Sequence, residues 1–423
     1  MNTRSEGIVI VGGGAGGLEL AIRLAKAGHK DVLLMDRDAT HVWKPRLHEL
    51  AAGFTRASVD ELDYAGLAQQ WGFRFEQGEL ADVDAGHKRF TLAPWKDDNG
   101  RVLVAERQLS YDALVLALGG VTPDMGVDGV LDNAFLLDSE RDAERLYRHF
   151  SAGLLARRSQ GCSDPYHVAI VGTGATGVEL AGLLATEARA SSMAPKEIQP
   201  EVKVTLLEAT DTFMPGMDDE VRHVVQARLQ EAGVDIHTAQ QVNAVSAQRV
   251  TTEGGQSFPA DMTIWAAGRV GPSLASRMKG LAVNDKRQWI VRPSLQAMDN
   301  DAVFALGDCS WIEESPAPPT AQAASEQAEH LARELPRYLA GDDPVPFRYE
   351  DKGTLLSLGE AGSVGTLRGV FADDITLRGR LARAAYQGLQ RQHQFLLLGP
   401  WKGAAEAVSD AFGRSVGPRL KVH

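Results

Sequence analysis

Two segments of this chain read almost alike: IVIVGGGAGGLELAIRL at 8–24 and VAIVGTGATGVELAGLL at 168–184. Each opens on a continuous apolar run, as a strand buried on both faces of a parallel sheet does. Each then carries glycines at GxGxxG spacing, Gly12, Gly14 and Gly17 in the first and Gly172, Gly174 and Gly177 in the second. In the first copy Leu18, Ala21, Ile22, Leu24 and Ala25 continue at helical spacing up to Gly28, a helix stop. A further apolar run follows in both, DVLLMD ending in Asp36 and VKVTLLEA carrying Glu208.

The chemistry of this pattern is specific. One glycine makes a tight turn, one lets backbone approach a pyrophosphate, and one lets helix and strand pack closely. The free N–H groups at the helix start then face the phosphates. The segments Gly12, Gly13, Gly14, Ala15, Gly16, Gly17 and Gly172, Gly174, Ala175, Thr176, Gly177 are therefore expected to bind cofactor. Asp36 and Glu208 are expected to accept hydrogen bonds from ribose hydroxyls. Glu208 also favours NADH, because a 2′-phosphate would meet like charge and no arginine stands beside it. The longer interval to Glu208 reflects an insertion at 186–200, which holds Pro195 and Pro200. One such motif is a weak signal, but two in strand–loop–helix settings point to two Rossmann-like domains of an α/β fold.

Composition narrows the class. The net charge of −12 argues against nucleic acid. Cys162 and Cys309 are the only cysteines, with no CxxC or CxxxxC spacing, so neither a disulfide framework nor a dithiol centre is expected. No metal-ligand cluster or iron–sulfur spacing appears. Gly12–Gly14 interrupt the early apolar run where a signal peptide needs its apolar core, so that run reads as a strand of a cytoplasmic protein.

Three further stretches end strands in small residues. They are YDALVLALGG at 111–120, DMTIWAAGR at 261–269 and DAVFALGDC at 301–309. Gly119, Ala267 and Gly268 offer close backbone approach to a ligand, and Asp308 follows the third strand. At this point the chain resembles the two-dinucleotide-binding-domain flavoproteins. That resemblance implies FAD on the first motif, NAD(P)H on the second, and contact of Asp308 with the ribityl–phosphate region. A turn-forming role is the alternative for Asp308, and Cys309 reads as a space-filling neighbour. The domain layout implied is 1–160 and 276–340 for FAD, 161–275 for NADH and 341–423 as a C-terminal region.

The stretch HVWKPRLHELAAG at 41–53 resembles one found in type II NADH dehydrogenases, the single-subunit NADH:quinone oxidoreductases, with Arg46 in place of a leucine. GATGVELAG, PPTAQAASEQA, KGTLLSLGEAGSVG and the ending PRLKVH follow in family order. The resemblance implies hydride transfer from NADH to non-covalent FAD, then two electrons to a membrane quinone. Lys44 would reach the FAD pyrophosphate, although an exposed loop lysine is the alternative. Gln322 would contact quinone. The family's second glutamine is replaced by Glu326, whose ordinary reading is a solvated helix carboxylate, while Gln327 points about 100° away. Glu179 would position NADH or relay protons, set against generic helix packing, since Glu19 occupies the same place in the first copy. Sulfide:quinone oxidoreductase, disulfide reductase and a flavin-binding redox sensor are the rivals; the first two need reactive cysteines.

From Arg378 onward there are eight Lys/Arg and two Asp/Glu, a balance of +6 that leaves −18 for the rest. Leu381, Ala385, Leu389, Gln392, Phe395, Leu396 and Gly399 follow helical spacing until Pro400 breaks the helix. A second stretch holds Ala404, Ala405, Val408, Ala411 and Phe412, with Trp401 at the junction. Apolar burial plus basic charge suits an anionic membrane surface on the cytoplasmic side of the inner membrane. Packing on its own domain and a homodimer contact are the alternatives.

Overall fold

The computed structural model describes residues 5–54, 61–97, 99–162, 164–190, 201–368 and 375–404. The later part of the insertion, 191–200, and the stretch from Ala405 to the end lie outside them. Two sheets organise the chain. The larger runs Ser310–Ile312, Trp289–Val291, Gln296–Ala297, Asn300–Ala305, Ala113–Leu116, Ile8–Val11, Val32–Asp36, Arg74–Gln77. The smaller runs Ala134–Phe135, Met262–Trp265, Tyr166–Val171, Val202–Leu207, Val234–His237. Ala134–Phe135, although early in the chain, thus belongs to the second sheet.

Every residue of Ile8–Val11 is buried, as its unbroken apolar run requires. This strand pairs in parallel with Val32–Asp36 on one side and Ala113–Leu116 on the other. Tyr166–Val171 is flanked in the same way by Val202–Leu207 and Met262–Trp265. Each fingerprint strand is therefore the point where strand order reverses, and ligands of open α/β sheets bind beyond the carboxyl ends of strands there. The duplication extends beyond the quoted phrases. A three-stranded antiparallel sheet precedes the strand Ala113–Leu116 (Leu80–Asp84, Arg89–Leu92, Arg107–Ser110), and another precedes Met262–Trp265 (Val242–Ser246, Arg249–Thr252, Ser257–Pro259).

The C-terminal part straps these units together. The helix Ala321–Leu339, capped by the Thr320 side chain accepting from Ala323 N–H, packs on the first fingerprint helix Ala15–Lys26. The sheet Leu355–Ser357, Ser363–Leu367, Ile375–Arg378 follows. Next to it, Lys352 pairs with Glu326 of that helix at 2.8 Å, and Arg368 holds Asp218 of the other unit through two 2.7 Å bonds.

The last described helix, Arg380–Leu398, ends at Gly399 (φ 80°), one residue before the expected break at Pro400. Its outward stripe follows the predicted spacing: Leu381 is 70% exposed, Leu389 52% and Trp401 beyond it 88%. Its other side corrects the picture of a tail simply lying on a membrane. Leu397 is fully buried in the core around the larger sheet, a burial that stabilises by roughly 1.5–3 kcal/mol. The final carbonyls of a helix lack intrahelical donors. Here Leu396 O accepts from Lys26 Nζ (3.1 Å), Leu397 O from Trp71 Nε1 (2.6 Å) and Leu398 O from Gln70 Nε2 (2.9 Å).

Candidate functional site

Backbone crowding demands glycine at two points of the first glycine loop. Gly12 adopts φ 106°, and a Cβ there would stand 2.3 Å from Ala117 O; one on Gly17 would stand 1.9 Å from Gly12 O. A Cβ on Gly14, by contrast, would meet nothing within 4 Å, so the loop is closed toward the protein and open toward the cleft. Asp36 holds this shape from the next strand: its Oδ2 accepts from Gly13 N–H at 2.6 Å and its Oδ1 from Asp38 N–H at 2.9 Å. Burial raises the pKa of Asp36 and these bonds oppose it. Gly13 O in turn accepts from Tyr64 OH at 2.7 Å and lies 2.8 Å from His41 Nδ1. Of these partners the sequence reading found only Asp36.

At the far end of this cleft Asp308 Oδ2 accepts from Arg269 Nε at 2.9 Å, and Arg269 also reaches Asp138 at 3.2 Å. Gly120 backs onto this group, since a Cβ there would lie 3.0 Å from Asp308 Cβ. Gly119 (φ 68°) leaves its side toward the cleft open. Lys44 keeps exposed surface but is crowded by the walls; that crowding, then the Arg269 charge, lowers its pKa, while Asp138 and Asp308 oppose it. A glycine loop open to the cleft, a helix N-terminus, a lysine and an Asp308–Arg269 pair fit a dinucleotide such as FAD.

The second loop repeats the first with different partners. Gly172 adopts φ 103°, a Cβ on Gly177 would lie 2.2 Å from Gly172 O, and Gly174 is open. Gly268 also has positive φ, at 78°. Glu208 is buried where Asp36 is half-buried. Its Oε2 accepts from Thr173 N–H (3.2 Å) and Thr173 Oγ1; its Oε1 accepts from Thr210 N–H and Oγ1, both at 3.0 Å. Both carboxylate oxygens are thereby engaged, the single Thr210 hydroxyl proton being divided between Glu208 and Thr212 O at 2.9 Å.

Glu179 and Glu19 part company here. Glu19 pairs with Arg23 at 2.6 Å on its own helix. Glu179, also buried, has no such cation; its Oε1 accepts from Ser357 N–H at 2.9 Å and its Oε2 lies 3.6 Å from His48 Nδ1. Burial raises its pKa against the His48 charge and the Ser357 bond. On the helix Ala321–Leu339, Gln322 Nε2 donates to Glu350 O (3.0 Å) and Glu326 (3.2 Å). Glu326 is not the solvated carboxylate expected: besides Lys352 it binds Glu350 N–H at 3.2 Å. Gln327 is buried, and its Oε1 accepts from Gly307 N–H at 2.7 Å, fixing the turn before Asp308.

The pyridine nucleotide-disulphide oxidoreductase family matches residues 6–328 of this chain. The type II NADH:quinone oxidoreductase of Haemophilus influenzae is 34% identical, with 99% of this chain and all of the relative covered. The chain belongs to the type II NADH:quinone oxidoreductases. Its counterpart in Staphylococcus aureus is 28% identical over 86% of this chain and 90% of its own. A solved structure of NDH2 from Plasmodium falciparum in complex with NADH shares the fold, with a TM-score of 0.82, 18% identity, and coverage of 99% of this chain and all of that one. The sulfide:quinone oxidoreductase of Aquifex aeolicus shares it less closely, at 0.73 and 18%, covering 99% of this chain and 96% of that one.

In this type II oxidoreductase the two cysteines lie in different settings. Cys309 is fully buried, donates toward Leu306 O at 3.2 Å, and burial pushes its thiol up to about 12. Cys162 follows a surface helix, with Arg157 Nη1 3.8 Å from its sulfur. No group of three metal-ligating side chains occurs among the described residues. No helix among them is long and apolar enough to cross a membrane.

Proposed function

We propose that this chain oxidises NADH and reduces a membrane quinone, without pumping protons, at the entry of a respiratory chain. FAD, held non-covalently in the first cleft, supplies the two-electron acceptor between the two substrates, while the protein supplies binding, orientation and electrostatics. The observation that carries this reading is the doubled cradle, two glycine loops each locked by a carboxylate of the next strand and open on one side.

In the first cradle Gly12–Gly17 and the start of the helix Ala15–Lys26 receive the pyrophosphate, joined by Lys44. Asp36 takes the ribose, and Gly119 and Asp308 take the ribityl end. In the second, Gly172, Gly174, Ala175, Thr176 and Gly177 take the NADH pyrophosphate, and Ala267 and Gly268 allow its nicotinamide half to approach. The Glu208 charge sets the ribose-side preference, Glu179 positions NADH or relays protons, and Gln322 orients quinone. The layout 1–160, 161–275, 276–340 and 341–423 is the corresponding proposal for the domains.

The stripe Leu381, Leu389, Phe395 and Trp401, with Arg383 and Lys402 also exposed, suits peripheral docking on an anionic bilayer. We place that docking at the cytoplasmic face of the inner membrane, where NADH is available. Steady-state NADH oxidation with a water-soluble quinone tests the activity. Protein that reduces no quinone, yet binds a partner according to NADH, would show a sensor instead.

A further inference from the structure

His48 stands on the short helix Leu47–Ala51 with 3% of its surface exposed, and its Nε2 has no hydrogen-bond partner. Buried polar atoms are satisfied as a rule, and leaving one unpaired is costly. Its other nitrogen faces Glu179 Oε2 at 3.6 Å, and the second oxygen of that carboxyl is held by Ser357 N–H. Three elements distant in sequence thus converge on one carboxyl. The remaining charge acting on Glu179 is Glu49, itself neutralised by Arg46 at 2.8 Å. The strand Leu355–Ser357 contributes only its backbone donor.

We propose that His48 is a positioning residue for Glu179, its Nδ1 facing the carboxyl across 3.6 Å and holding it against Ser357 N–H. The inference rests on the quinone reductase activity. NADH and quinone become NAD+ and quinol with the uptake of one proton: the hydride brings two electrons and one hydrogen, and the second hydrogen enters as H+. The second hydrogen is carried on Glu179 Oε2, which faces His48 Nδ1. As the quinol O–H bond forms, the Glu179 O–H bond breaks; the carboxylate left behind is held by Ser357 N–H and His48 until it takes up one proton from solvent, which restores the starting state. The first copy is built differently, because Glu19 is paired with Arg23 on its own helix. The elevation of the Glu179 pKa by burial supports a carboxyl that holds a proton until it is drawn.

The test compares wild-type holoenzyme with His48→Phe, His48→Gln, Glu179→Gln and the double variant His48→Phe/Glu179→Gln. Anaerobic stopped-flow reads reduction by NADH and re-oxidation by a water-soluble quinone separately. His48→Phe is expected to retain FAD and its rate of reduction by NADH, to slow re-oxidation by about tenfold, and to change the pH profile of that half alone. The double variant is expected to be no slower than Glu179→Gln. His48→Gln, which keeps a donor, is expected to recover part of the rate but not the pH profile. Infrared titration reads the pair without turnover: the carboxyl band removed by Glu179→Gln should shift its titration in His48→Phe. Additive effects, equal slowing of both halves, or an unshifted band would overturn the proposal. Failure of wild type to reduce any quinone, with the infrared coupling present, would overturn the activity instead.

Discussion

His393, near the end of the last described helix, stacks on Trp43 with ring centroids 3.7 Å apart. Its Nε2 also lies 3.5 Å from His41 Nε2, and His41 reaches Gly13 O. The C-terminal helix is thereby tied to the first glycine loop as well as to the core through Leu397.

Removing residues from about 379 should therefore do more than release the protein from vesicles. It opens the Leu397 site and uncovers His41, so the truncated chain should lose FAD and melt lower. The single change His393→Ala should lower the temperature at which FAD fluorescence is released, while circular dichroism stays the same. FAD retention equal to wild type in both would show that the clasp is idle.

The same histidines predict acid sensitivity. Burial lowers His41 to about 4, and burial together with the His41 charge lowers His393 to about 2. The unfolded chain takes up these protons near pH 6.5 and the folded chain does not, so stability is full above that pH and falls as pH drops toward 4. For His41 alone the loss approaches ~3 kcal/mol. Glu19, Asp36 and Glu179, raised by burial, act in the opposite sense. The informative quantity is thus the difference between wild type and His393→Phe in denaturant midpoint from pH 7 to 5, which should narrow as pH falls.

NADH should be preferred over NADPH, and Glu208→Gln should narrow the gap by removing a buried negative charge. The same change turns an amide NH2 toward Thr173 or Thr210 backbone N–H and should cost about 1–3 kcal/mol of stability. The ratio of kcat/KM values with the two nucleotides, and the denaturant midpoint, check both halves. Equal use of NADPH by wild type would refute the role of Glu208.

Alkylation at mildly alkaline pH should label Cys162 and spare Cys309, whose thiol stays protonated far above that range. NADH oxidation with soluble quinone should survive the labelling. Loss of activity in step with labelling would reinstate thiol chemistry.

Replacing exposed members of the stripe, as in Leu389→Glu with Trp401→Ser, should abolish flotation with anionic liposomes and leave turnover of a water-soluble quinone intact. Wild-type binding should weaken with salt without vanishing, since apolar burial is not screened. A sedimentation shift to monomer, with flotation unchanged, would identify the stripe as a dimer contact.

What the sequence showed and what it hid divide along chain distance. The glycine loops, Asp36, Glu208 and the outward spacing of Leu381 and Leu389 were legible because each is a local pattern of period or motif. The Gly13–His41–His393 chain, the Ser357–Glu179 bond and the Glu326–Lys352 pair were not, because strand order and helix docking bring those partners together. His48 lay inside a quoted motif, and only burial beside Glu179 marks it. Gln327 turns away from the direction of Gln322, and that direction takes it to Gly307 N–H.

The most direct measurement is the anaerobic visible spectrum of the purified protein. A flavin band is expected that NADH bleaches, that NADPH bleaches far more slowly, and that a soluble quinone restores in full. A protein without that band, or a band that NADH leaves unchanged or quinone does not restore, would contradict the proposed function.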